Sequence, residues 1–213
     1  MSFLLFLAGA GVVLLIMIAV LSVVSVGEDK ARARSLVAAT GALDRQARKP
    51  GWRQVPEDED VPAGRMGDRE LVRHAAVAST RGGRTVRVAV FAASRVAGTY
   101  QGVPTRWAVT PGLVVAVDAP ELAGVLRLNP VRGDRRYGVL GSLESLVEGD
   151  AGKEVFAQLA SYQPPEVDVA DGVACFTFTD VDLADRLDDV AGMACDVVEI
   201  LANVRKPAQP VEE

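Results

Sequence analysis

Five aspartates lie within ten residues of one another near the C-terminal end, a density of hard oxygen ligands that could bind a divalent cation. On a helix, Asp182, Asp185 and Asp189 fall on one face, opposite an apolar stripe. The glycine and distal glutamate of a calcium-binding EF-hand loop are missing from the pattern. The sequence therefore predicts a solvated acidic surface here, with no metal site and no cofactor. The five residues are Asp180, Asp182, Asp185, Asp188 and Asp189.

A glycine and lysine motif, Gly149-Asp150-Ala151-Gly152-Lys153-Glu154, resembles part of a phosphate-binding loop. The full motif needs a glycine where Val147 stands, and a serine or threonine for the metal where Glu154 stands. Since both groups are replaced, we interpret the motif as a loop that leads into a helix.

Nucleophiles and bases are few. His74 is the only histidine, which excludes paired-histidine metal ligation. Cys175 and Cys195 stand in an apolar strand and in the last helix, where cysteine behaves as a small hydrophobic residue. The sequence therefore predicts a non-enzymatic role. The alternative is a membrane-tethered hydrolase or transferase that uses scattered acids such as Asp134 and Glu154.

Four arginines surround one predicted loop and form a candidate basic patch: Arg127, Arg132, Arg135 and Arg136. Guanidinium groups of this kind could contact anionic lipid headgroups or an acidic partner, which would make the domain a lipid sensor. A plain solvated loop is the other interpretation. The net charge of −5 and the pI near 5.1 argue against nucleic acid as a partner.

An uncharged apolar run extends from Phe3 to Val26. As a helix it would be about 36 Å long, which is enough to cross a hydrocarbon core of about 30 Å. The run is longer than that of a signal peptide and no positive charge precedes it, so residues 1–27 are predicted to be an anchor with a single span. Basic residues follow it from Lys30 onward, which predicts an outside N-terminus and a cytoplasmic domain at the cell membrane.

The rest of the chain is predicted to form three parts. Residues 28–68 comprise a juxtamembrane helix, closed by Pro50-Gly51, and an irregular proline-rich acidic linker in which Trp52 docks on the domain or lies at the membrane interface. Residues 69–205 form a soluble α+β domain, and residues 206–213 a flexible tail. Two hairpins are predicted at Gly82-Gly83 and Asp171-Gly172.

The fold class is thus α+β, with a mostly antiparallel sheet covered by two helices. Its further strands are predicted at Thr105–Thr110, Leu113–Asp118, Val125–Leu128 and Tyr137–Leu140, and a short helix at 151–162. A final helix of about 24 residues carries a stripe spaced alternately by four and three. We interpret the stripe as packing on the sheet, because its apolar face is broad; a coiled-coil dimer is the alternative. Its members are Leu183, Leu187, Val190, Ala194, Val197, Leu201 and Val204.

The order of these features resembles uncharacterised single-pass membrane proteins of high-GC Gram-positive bacteria. The resemblance rests on the uncharged span, Gly51-Trp52 with its proline and acidic linker, the glycine and arginine hairpin, Gly133-Asp134 and Asp171-Gly172. It implies a shared fold and transfers no catalytic residue. Together with the absence of a catalytic motif, it leads us to expect a membrane-anchored binding or scaffolding module with a protein partner or a membrane complex.

Overall fold

The computed structural model describes residues 30–64, 70–100, 103–131, 136–179 and 181–205. These residues form an α+β domain around one antiparallel sheet of eight strands, which confirms the predicted fold class for this part of the chain. The predicted span at residues 3–26 and the tail at 206–213 lie outside the described residues. Within the described ranges, no helix combines the length and apolar character that crossing a membrane requires.

The strands follow the order β1-β2-β3-β4-β8-β7-β5-β6 across the sheet. Both predicted hairpins are confirmed, since Arg81 pairs with Arg84 and Ala170 pairs with Val173. Gly82 and Gly83 have φ angles of 56° and 79°, as a tight hairpin turn requires. The strands are β1 (Trp52–Gln54), β2 (Glu70–Arg81), β3 (Arg84–Tyr100), β4 (Val103–Asp118), β5 (Leu126–Pro130), β6 (Tyr137–Leu140), β7 (Glu166–Ala170) and β8 (Val173–Phe178).

Strand β4 differs from the sequence prediction. We predicted two strands, Thr105–Thr110 and Leu113–Asp118, but β4 runs through Pro111 without a break. Its pairing with β8 begins only at Leu113, so at Pro111 the strand has β3 alone as a neighbour. A proline is compatible with a strand at such an edge position, because its missing N–H group costs no bond of the ladder.

In the part of the chain that the structure describes, three α-helices accompany the sheet: α1 (30–46), α2 (Gly149–Ala160) and α3 (Leu187–Arg205). The predicted final helix begins later than expected, because a 3-10 helix at Val181–Arg186 precedes α3. Val181, Ala184 and Leu187 are all buried. Their spacing of three matches the three residues per turn of a 3-10 helix, so this geometry buries all three on one side.

The larger core lies between the helices and one face of the sheet. Phe176 and Phe178 of β8 are buried there against Val190, Val197 and Leu201 of α3. The apolar stripe of the last helix is therefore buried by packing within the domain, as we predicted. Only its final member, Val204, is substantially exposed.

Residues that we assigned to a juxtamembrane helix and a linker contribute to both faces of the sheet. Leu43 of α1 is fully buried in the larger core, and Trp52 is 9% exposed. On the opposite face, Val55 and Val61 pack on Ala89 and other small residues of the central strands. Residues of α1 and of the segment 52–64 therefore pack with the strands and helices that follow residue 69. Trp52 docks on the domain, which was one of its two predicted positions.

Candidate functional site

The densest convergence of polar side chains surrounds Asp188, in the first turn of α3. Its carboxylate accepts hydrogen bonds from Gln46 Nε2 at 2.9 Å, Trp52 Nε1 at 3.1 Å and Lys49 Nζ at 3.3 Å. The Arg81 guanidinium also donates to this carboxylate, and its second terminal nitrogen donates to the Asp188 carbonyl at 3.2 Å. We call these five residues the Asp188 junction. It joins α1, β1 and the β2–β3 turn to α3.

The junction has a defined charge state. Partial burial alone raises the pKa of the Asp188 carboxyl, but hydrogen bonds from Gln46, Trp52 and Lys49 and the charge of Arg81 lower it, to about 2. Arg81 also lies 5.3 Å from the centroid of the Trp52 ring, within the range of a cation–π contact. The carboxylate is therefore ionised at neutral pH and its acceptor positions are occupied by the chain itself. Such a group holds elements together and is poorly suited to act as a general base.

A second polar cluster fixes residues 55–64, which we call the strap, against the outer face of the sheet. Glu59 receives two hydrogen bonds of 3.0 Å from Arg53, and these bonds are the main reason that the pKa of Glu59 is lowered. Arg73 donates to the carbonyls of Pro56 and Glu59 at 2.6 Å each. The acidic run that reads as an irregular linker in the sequence is thus held by arginines of β1 and β2.

The strap approaches the sheet most closely at Gly64, whose φ is +55°. A Cβ atom there would lie 2.8 Å from Thr177 Oγ1 and 3.1 Å from Cys175 Cβ. Burial raises the pKa of the Cys175 thiol to about 11, so this cysteine is a core residue and a poor nucleophile, as predicted from its strand.

A groove of about 300 Å3 lies beside the Asp188 junction. Its lining includes Ser79, Thr80 and Thr85, which carry hydroxyl groups, and Arg53, whose guanidinium is already bound to Glu59. None of its lining residues is an acid, a cysteine or a histidine, so the lining supplies no base that could activate the hydroxyl groups of Ser79, Thr80 or Thr85. The full lining is Gly51, Trp52, Arg53, Ala78, Ser79, Thr80 and Thr85.

Two of the four arginines of the predicted basic patch, Arg127 and Arg136, lie among the described residues. Arg132 and Arg135 lie outside the described residues, and Arg136 is exposed. Arg127, on β5, pairs with Asp168 of β7 through Nε at 3.2 Å. Arg127 is therefore engaged in an ion pair between neighbouring strands.

Of the two acids named for the alternative enzyme, Glu154 does not line the groove, and neither does the single histidine, His74. Glu154 is exposed on α2, Asp134 lies outside the described residues, and His74 is exposed on β2 beside a register shift. Asp185 and Asp189 have side chains that are 69% and 55% exposed and pair with Arg45 and Arg186. Among the described residues, no three His, Cys, Asp or Glu side chains are placed to hold a metal ion.

Sequence reasoning grouped Asp188 with its acidic neighbours and missed the junction. The available signals were separate ones: Trp52 as the single large apolar group of its segment, and Arg81 beside a predicted tight turn. Nothing in the pattern shows that these two groups meet one aspartate more than a hundred residues later. The chain matches no known family model, no curated protein and no solved structure.

Proposed function

We propose that the protein is a membrane-anchored, non-enzymatic binding or scaffolding module, with its domain held at the inner face of the cell membrane. The observation that carries the proposal is the packing of α1. This helix begins, in the described chain, four residues after the apolar run ends, and Leu43 inserts into the domain core. The proposed anchor would then be followed closely by a helix that is packed into the domain, which would hold the domain near the membrane.

The membrane part of the proposal rests on the sequence. Residues 3–26 carry no charge and are long enough to span a bilayer, and the basic residues after them favour retention of the domain in the cytoplasm. A domain that is held near the membrane can present a surface to a partner in the same membrane or at its face.

The proposed binding role is supported by the internal hydrogen bonds of two polar clusters. The two clusters with the most hydrogen bonds, at Asp188 and Glu59, are occupied by Gln, Trp, Lys and Arg side chains of the same chain. They rigidify the junction and the strap, as satisfied polar networks do. A rigid surface suits recognition of a partner, because less entropy is lost on binding.

The test is recovery of a partner from native membranes. The tagged full chain is crosslinked and then extracted in mild detergent. A chain that lacks residues 1–27 and the full-length variant Asp188→Asn are treated in the same way. Asp185→Asn is the matched control, since its side chain lies on the same segment but is 69% exposed. We expect a reproducible partner with the wild type and Asp185→Asn and a loss of that partner without the anchor. Alkaline extraction of the wild type from membranes, or no reproducible partner, would contradict the proposal.

A further inference from the structure

The side of α1 that faces away from the domain is basic. At 100° per residue, Lys30, Arg34 and Val37 lie within about 60° of one another on the helix surface. Ala39, Ala42 and Leu43, on the opposite side, are buried in the domain. Arg48 lies in the turn just after the end of α1 and is exposed. We call Lys30, Arg34, Val37 and Arg48 the outward face.

The cations of the outward face differ from the other basic residues of the segment 30–49 in their ion pairing with the described chain. Arg45 pairs with Asp185, Lys49 with Asp188, and Arg32 interacts within the chain. Lys30, Arg34 and Arg48 have no ion pair to any described residue.

One acid of α1, Asp44, lies near the edge of the outward face, so the charges there remain predominantly positive. Val37 lies among them with 73% of its surface exposed, more than any other large hydrophobic residue whose burial the structure describes.

We propose that the outward face of α1 lies along an anionic bilayer, with its three cations at lipid phosphates and Val37 in the interfacial layer. The inference rests on the proposed function, because the apolar run would deliver α1 to the membrane. Only three residues stand between Val26 and Lys30, so the Cα atoms of these two residues are at most about 14 Å apart. Basic side chains close to an anionic surface are attracted to it, and an exposed apolar residue between them adds burial in the interface.

This arrangement differs measurably from a stalk. If α1 continued the span along the membrane normal, residue 44 would stand about 27 Å beyond residue 26. If α1 lies flat, residue 44 is at headgroup depth and the domain rests on the side of α1 away from the lipid. Lipid contact then belongs to α1 and not to the arginine loop, where Arg127 is bound to Asp168.

The experiment uses the full chain in nanodiscs, with Cys175 and Cys195 replaced by alanine and one fluorescent label at Asp44→Cys. The control label is Leu140→Cys, which is 57% exposed on β6, at the sheet edge opposite β1. Quenching by lipids that are spin-labelled in the headgroup is compared in discs of phosphatidylcholine with and without about one-third phosphatidylglycerol. We expect quenching of the Asp44 label in anionic discs only, and its loss in high salt.

A charge-reversed chain, with Lys30→Glu, Arg34→Glu and Arg48→Glu, should also lose this quenching. The corresponding glutamine chain repeats the test if the reversed chain does not fold. Equal quenching at Asp44 and Leu140, or equal quenching in neutral and anionic discs, overturns the inference. Alkaline extraction separates the two proposals: a chain that stays in the membrane but shows no quenching refutes the flat helix alone, whereas an extracted chain refutes the anchor.

Discussion

Replacing Asp188 by asparagine should loosen the contact between α1 and α3 while leaving the core composition unchanged. The substitution keeps the shape of the side chain but removes the charge that Lys49 and Arg81 neutralise. An amide can accept at one oxygen only, so at least one donor among Gln46, Trp52 and Arg81 loses its partner. Unpaired donors in a partly buried site lower the free energy of unfolding.

The magnitude follows from the pKa of the carboxyl. A pKa lowered from 3.8 to about 2 is equivalent to about 2.4 kcal/mol of stability. The Asp188 side chain is 48% exposed, so solvent screens these interactions and we expect about 1 kcal/mol. Asp185→Asn removes one exposed ion pair and should cost less than about 0.5 kcal/mol.

The assay is urea unfolding of the full chain in mild detergent, followed by tryptophan fluorescence at several pH values. A carboxyl whose pKa is lowered by folding contributes stability that is present above its unfolded pKa, near 4, and is lost as the pH falls toward 2. The difference between wild type and Asp188→Asn should therefore be full at pH 7 and shrink between about pH 4 and pH 2. Equal losses of stability in Asp188→Asn and Asp185→Asn, or a difference that does not depend on pH, would show that the ionised Asp188 carboxylate does not stabilise the fold.

Two further substitutions test the packing of the N-terminal segment. Gly64→Ala places a Cβ 2.8 Å from Thr177 Oγ1 at a φ of +55° and should cost about 2 to 3 kcal/mol in urea unfolding. Gly51→Ala, with a φ of +81° but no atom within 4 Å, should cost about 1 kcal/mol; equal costs would contradict the close approach of the strap. Leu43→Ala should cost about 2 to 5 kcal/mol, because the side chain is fully buried. Val37→Ala, on the exposed side of the same helix, should change stability by less than about 0.5 kcal/mol, and a similar loss in both would show that α1 is not packed as described.

The sequence predicts those parts of the fold that depend on local signals. The turns at Gly82-Gly83 and Asp171-Gly172 are marked by residues that adopt positive φ, and the stripe of α3 is marked by its period. The strand through Pro111 was missed because a proline is a break signal unless the neighbouring strand is known to be absent on one side.

The attachment of residues 55–64 to the sheet was not predicted, for a related reason. Residues 55–64 have no apolar period, and their attachment depends on Arg53 and Arg73 meeting Glu59 and its neighbours across the sheet. The Asp188 junction likewise depends on contacts between distant parts of the chain, which a local pattern does not encode. The candidate site therefore became visible only through the tertiary structure.

Amide hydrogen exchange in α1 tests whether α1 and the rest of the domain form one packed unit. Amides that open only with the whole domain exchange with the free energy of global unfolding, whereas an independent stalk opens locally at lower cost. In the full chain in detergent, we predict that residues 43–46 exchange as slowly as residues 197–201 of α3. Rapid exchange of the α1 amides while the α3 amides stay protected would show that α1 is not packed as part of the domain.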